Sequence, residues 1–143
     1  MPVAVVTGAS AGIGLETAKG LAKKNFDLIL VSRNLKKLHS IKDDLETQYS
    51  INCDVFSYDL SLIMSNVNFH EEVINKFQKI DVLINNAGAI FMEKTITNEG
   101  LEKTFALNHM SYFVLSKLFI ESFNSIKVIN VSSEAHRGIN LNL

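Results

Sequence analysis

At 143 residues, with 47% hydrophobic and 20% charged residues, the chain has the length of one domain and the balance of a folded globular protein. A formal net charge of −1, no tryptophan and no basic cluster interleaved with aromatics leave no electrostatic reason to expect nucleic acid or an acidic membrane. The single cysteine, Cys53, excludes an intrachain disulfide, suits a reducing interior and reads as a small buried strand residue.

The start, MPVAVVTGAS, lacks the positive segment and the length of a signal peptide. The longest apolar run, residues 112–120, is broken by Ser116 and Lys117 and is too short to span a bilayer. No transmembrane segment and a cytoplasmic location are therefore expected.

Short β-branched runs at 3–6, 28–31, 52–56, 82–84 and 126–131 alternate with stretches of helical period. Most runs are apolar on successive residues, as strands covered on both faces must be. Between the second and third, Leu35, Leu38, Ile41, Leu45 and Tyr49 recur at three- and four-residue steps; Phe69, Val73, Ile74 and Phe77 do the same later. This alternation predicts an α/β fold: a doubly wound parallel sheet of Rossmann type, with right-handed crossovers and helices on both sides. Ligands of such sheets lie beyond the carboxyl ends of the strands.

The first strand runs into VVTGASAGIG, where Gly12, Ile13 and Gly14 open the first helix. A phosphate needs backbone N–H groups aimed at it and a helix N-terminus behind them, and glycines let the backbone approach. Ser10 can add a hydroxyl. The spacing is Gly-x-x-x-Gly-x-Gly rather than Gly-x-Gly-x-x-Gly, and a glycine-rich turn packing helix on sheet is the alternative reading. After the second strand come Ser32 and Arg33, where an adenosine ribose would lie. An acid there binds a free 2′-hydroxyl, whereas a guanidinium meets a 2′-phosphate with paired hydrogen bonds. Arg33 therefore favours NADP over NAD, against the alternative of a solvated surface arginine.

Leu101, Phe105, Asn108, Tyr112, Leu115 and Phe119 follow steps of four and three, which predicts a helix over residues 101–122 with Asn108 on an apolar face. An amide buried there must find hydrogen-bond partners. The opposite face, Leu107, Met110, Val114 and Leu118, is apolar too, so both faces should be covered. The fifth run delivers Ser132 and Ser133; adjacent strand residues point to opposite faces, so only one of them can address a substrate. His39, His70, His109 and His136 have no metal-ligand spacing, and no metal is expected.

TGASAGIG, SYDLS, LINNAG and VINVSS, in this order, resemble the short-chain dehydrogenase/reductase family from Pro2 to about Gly138, and EKTFALNHMSYFVLSKL is most similar to its retinol-dehydrogenase-like branch. The resemblance implies an NADP-dependent oxidoreductase that moves hydride between nicotinamide and a small carbonyl or alcohol substrate. It assigns Thr7, Gly8, Ser10, Gly12, Ile13 and Gly14 to the pyrophosphate, and Ser32 with Arg33 to the 2′-phosphate. It gives Asp59 to the adenine amino group, Leu60 to the side of the ring, and Asn86, Ala87 and Gly88 to the ribose between adenine and nicotinamide. Asn85 would steady the sheet. Asn108 would hold a water of the proton relay, and Ser133 would hydrogen-bond the reacting oxygen, leaving Ser132 structural. The basic residue that some NADP-using members carry before the second loop glycine is Ala11 here.

The family's general acid is a Tyr four residues before a Lys on the next helix. Glu134 to Leu143 contain neither. The expectation is therefore a single NAD(P)-binding Rossmann domain over residues 1–143, incomplete at its C-terminus after about the fifth strand, with negligible dehydrogenase activity alone. The alternative is a truncated, inactive nucleotide- or partner-binding module. Family resemblance also implies a homodimer through the helix over residues 101–122.

Overall fold

The computed structural model describes residues 1–137. Five strands, β1 (Val3–Thr7), β2 (Asp27–Ser32), β3 (Cys53–Ser57), β4 (Val82–Asn85) and β5 (Lys127–Asn130), form one parallel sheet in the order β3-β2-β1-β4-β5. Helices α1 (Gly12–Ala22), α2 (Leu35–Tyr49) and α3 (Ile63–Lys76) fill the connections between the first four strands. The last connection holds a short α4 (Lys103–Phe105), a π-helical segment (Ala106–Met110) and α5 (Ser111–Ser122). This is the Rossmann-type doubly wound architecture expected from the alternation of runs.

Strand alternation sorts the core into two layers. Ala4, Val6, Leu28 and Leu30 pack with Ala18, Ala22, Leu38 and Leu45 on one face of the sheet. Val5, Ile29 and Val31 pack with Phe69, Val73, Leu115 and Phe119 on the other. Full burial of a side chain such as Phe69 or Phe119 stabilises the fold by about 1.5–3 kcal/mol. Leu35 and Ile74, expected on buried helical faces, are exposed at the margins of these layers. Cys53 is buried on β3, and burial pushes its thiol up to about 12.

The helix ends are set by local chemistry. The Asn34 side chain accepts from the Lys37 N–H at 3.0 Å, capping α2, whose far end turns through Ser50 at φ +55°. The residue before α3 is Leu62, which cannot cap. The Glu99 carboxylate does so from a distant loop, accepting from the N–H groups of Ile63 (2.5 Å) and Met64 (2.9 Å). Glu102 caps α4 through the N–H groups of Thr104 and Phe105, and those bonds hold its carboxyl below the usual range.

The helix predicted over residues 101–122 is corrected at its start. Glu102 lies in an antiparallel bridge with Ile96, and the π segment inserts one extra residue into the turn that follows. The buried residues are consequently Ala106, Ser111, Leu115 and Phe119, five and then four apart. Leu101 and Tyr112 are only partly covered, and Phe105 and Asn108 are exposed. β5 pairs only with β4 among the described residues, and Ile129 on it is exposed.

Candidate cofactor groove

Thr7 ends β1 and turns the chain toward α1. Gly8 follows at φ +68°, and a Cβ there would stand 2.8 Å from Ala87 Cα. Its N–H donates to the Val31 carbonyl at 2.9 Å, so the loop is held against β2 on one side and the end of β4 on the other. Gly12, at φ +54°, begins α1. Gly14 lies within the first turn; a Cβ there would lie 2.4 Å from the Gly8 carbonyl oxygen and 2.5 Å from Asn86 Nδ2. The glycine thus permits contact between helix, loop and the β4 end.

Beyond the carboxyl ends of the strands lies a groove of about 880 Å³. Gly8, Ser10, Ala11, Gly12 and Ile13 form its middle, next to the start of α1. No side chain caps that helix, and its first turn carries no acid. Backbone donors and the positive helix end therefore face the groove without internal compensation. One end is formed by Ser32, Arg33 and Asn34, where Arg33 is exposed and makes no salt bridge among the described residues. Tyr58, Asp59 and Leu60 form the adjoining wall. Asp59 Oδ1 accepts from the Ser61 N–H (3.0 Å) and hydroxyl (2.7 Å). Asn86, Ala87, Gly88 and Ala89 lead to an apolar far end made by Phe91 and Leu107.

The structure thus gathers most of the expected cofactor residues along one surface. Thr7 and Gly14 stand behind it. Thr7 is buried, and its hydroxyl is engaged as acceptor for the N–H groups of Asn86 and Ala87, each at 2.9 Å. It thereby joins the ends of two strands. Asn85 is fully buried and donates to Ser116 Oγ (3.0 Å) and Asn130 Oδ1 (2.9 Å), tying the sheet to α5, while its own Oδ1 has no protein partner.

Asn108 is exposed, contrary to the buried position its spacing predicts, because the π segment turns it off the apolar face. It still has partners: Oδ1 accepts from the Ala89 N–H at 2.9 Å and Nδ2 donates to the Ala89 carbonyl at 2.8 Å. The amide fixes the segment that continues the groove past Gly88. Ser132 and Ser133 lie after β5, which stops at Asn130, so strand alternation does not orient them. Both are exposed; Ser133 Oγ accepts from the Ala135 N–H at 3.1 Å and starts a 3₁₀ turn (Glu134–His136).

Tyr58, Asn34, Ala89, Phe91 and Leu107 line the groove without having been singled out in the sequence. Asn66 was also missed. It is fully buried, and its Nδ2 donates to the carbonyls of Leu60 (2.9 Å) and Leu62 (2.7 Å). The signal was available: Asn66, Phe69 and Val73 are three and four residues apart, which places an amide on an apolar helical face. Among the described residues no group of His, Cys, Asp or Glu could hold a metal, and no helix is long and apolar enough to cross a membrane.

Comparison with known proteins gives a consistent set of relatives. A sequence profile described as short chain dehydrogenase matches residues 2–140. The chain is 32% identical over 142 residues to the chloroplastic short-chain dehydrogenase TIC 32 A of Brassica napus, covering 93% of this chain and 44% of that protein. It is 33% identical over 137 residues to human retinol dehydrogenase 13, covering 92% and 41%. The chain thus spans less than half the length of these curated relatives. Among solved structures, a metagenomic short-chain oxidoreductase in complex with NADP superposes with a TM-score of 0.82 at 27% identity, over 97% of this chain and 65% of that one. A short-chain dehydrogenase from Sphingobium yanoikuyae in complex with NADPH gives 0.80 at 26% identity, over 94% and 54%.

Proposed function

Because the chain belongs to the short-chain dehydrogenase family, we propose that its groove binds NADP(H) for oxidoreduction of a small carbonyl or alcohol. One observation carries this reading: the uncapped start of α1, with its glycine loop, lies in the same groove as an Arg33 that makes no salt bridge among the described residues. The α1 N–H groups suit a pyrophosphate, and the Arg33 guanidinium suits a 2′-phosphate. Asp59 and Leu60 would hold the adenine, and Asn86 to Gly88 the following ribose. The complexes formed by the solved relatives with NADP or NADPH support the same assignment. When bound, the nicotinamide supplies the hydride chemistry.

Asn108 and Ser133 are the chain's contribution to the reacting end. Asn108 shapes the turn at Ala89, and Ser133 would offer a hydroxyl to the substrate oxygen. No Tyr-x-x-x-Lys follows within residues 134–143. A positioned general acid is worth about 10²–10⁴ in rate, so these 143 residues alone are expected to bind nucleotide without appreciable turnover. That makes a binding module the second reading for this length of chain. A homodimer through α5 is proposed from its exposed Phe113 and Ile120, which a second copy would cover.

Calorimetry with NADPH and NADH tests the assignment. NADPH should bind more tightly, and Arg33→Asp should reduce that preference by about 10–100-fold, the range for a charge-assisted contact. No heat with either nucleotide would overturn the reading. An unchanged preference in the variant would remove Arg33 as the discriminator. NADPH oxidation with a simple aldehyde by the isolated chain would refute binding without turnover.

A further inference from the structure

We infer that Asn66 is a positioning residue for the adenine wall of the groove, acting through the turn of residues 59–62. The inference rests on the reading of Asp59 and Leu60 as the adenine contacts. Asn66 lies in the first turn of α3, wholly buried, and its Nδ2 donates to the carbonyls of both Leu60 and Leu62. Two carbonyl partners require the NH₂ end of the amide on that side, so the orientation of the side chain is fixed by chemistry. Oδ1, also buried, has no protein partner.

For packing alone the amide is a poor choice. Its neighbours on the same helical face, Phe69 and Val73, are apolar, and an apolar residue at 66 would leave no orphaned acceptor. What an apolar residue cannot do is hold the carbonyls of Leu60 and Leu62 together. Holding the Leu60 carbonyl fixes the peptide from which the Leu60 side chain projects. The same peptide, Leu60–Ser61, carries the Ser61 N–H that donates to Asp59 Oδ1 at 3.0 Å, so holding it also anchors one oxygen of the Asp59 carboxylate. The remaining oxygen, Oδ2, is then presented at a defined height on the groove wall. Asn66 thus sets where a carboxylate acceptor can meet an exocyclic amino group, without touching the nucleotide.

The test uses NADPH and its deamino analogue, in which hypoxanthine replaces adenine and the amino donor is lost. Dissociation constants are measured for the 143-residue chain and for Asn66→Leu. The wild type is expected to prefer NADPH by about 10–100-fold, the worth of one hydrogen bond to a charged group. Asn66→Leu should bring the two constants within about twofold of each other, mainly by weakening NADPH. A purely structural role would weaken both nucleotides equally and leave the ratio intact, and that result would overturn the proposal. A wild type that binds both equally would overturn it too. A wild type that binds neither would instead sink the nucleotide reading on which it rests. Should Asn66→Leu fail to fold, Asn66→Ser, which keeps one donor but cannot reach both carbonyls, is expected to show the same loss of ratio.

Discussion

Thr7 and Asn86, at the ends of the adjacent strands β1 and β4, are joined twice. The Asn86 N–H donates to Thr7 Oγ1 at 2.9 Å, and Asn86 Nδ2 donates to the Thr7 carbonyl at 3.0 Å. The same hydroxyl accepts from Ala87, so one buried oxygen serves two backbone donors. Removing it leaves both N–H groups without that partner. Thr7→Val, nearly isosteric, should lower unfolding free energy by about 2–4 kcal/mol in urea titrations, whereas Thr7→Ser should retain most of the stability. An undiminished Thr7→Val would show that the hydroxyl is not the tie described.

Two glycines of the same loop should respond differently to a single methyl group. At Gly14 a Cβ would overlap the Gly8 carbonyl and Asn86, both anchored parts of the structure. Gly14→Ala is expected to unfold the chain or to weaken NADPH binding more than tenfold. At Gly12 nothing lies within 4 Å, but φ is +54°. Gly12→Ala should cost only about 1–2 kcal/mol of stability, the penalty of a left-handed L-residue. Equal losses in thermal melts would contradict the geometry.

His70 supplies a pH dependence. Its Nε2 is 2.8 Å from Ser122 Oγ, with its ring edge-on to Phe119, and burial lowers its pKa below 6.5 against the opposing effects of the Leu118 backbone and Glu71. The unfolded chain therefore takes up this proton before the folded one. The stability held by the neutral ring is complete above pH 6.5 and falls as the pH drops toward the lowered folded value. Urea midpoints should decline from pH 7 to 5, with a slope of at most about 1.4 kcal/mol per pH unit from this group. His70→Gln should remove that share of the decline. A wild-type midpoint constant over that range would exclude the effect.

The sheet was readable because both its faces are covered: runs such as Val3 to Val6 and Leu28 to Val31 are apolar at every position, and few other structures tolerate that. The groove was readable because glycines and Arg33 mark its floor and one end. What escaped were features created by contacts distant in sequence or by an irregular turn. Thr7 is spent on residues 79 and 80 positions away, which no local pattern reveals. The Asn108 face was misphased because steps of three and four cannot register the inserted residue of a π turn. Asn66 is a different lesson, since the spacing rule applied to Asn108 would have found it.

The order β3-β2-β1-β4-β5 means that the chain, after building outward to one edge, crosses over to continue from the other side of β1. The floor of the groove is therefore shared between an early half of the chain, ending in Arg33 and Asp59, and a later half, beginning at Asn86. A molecule lying along it would clasp the two halves together, so saturating nucleotide should make them melt as one unit and at a higher temperature.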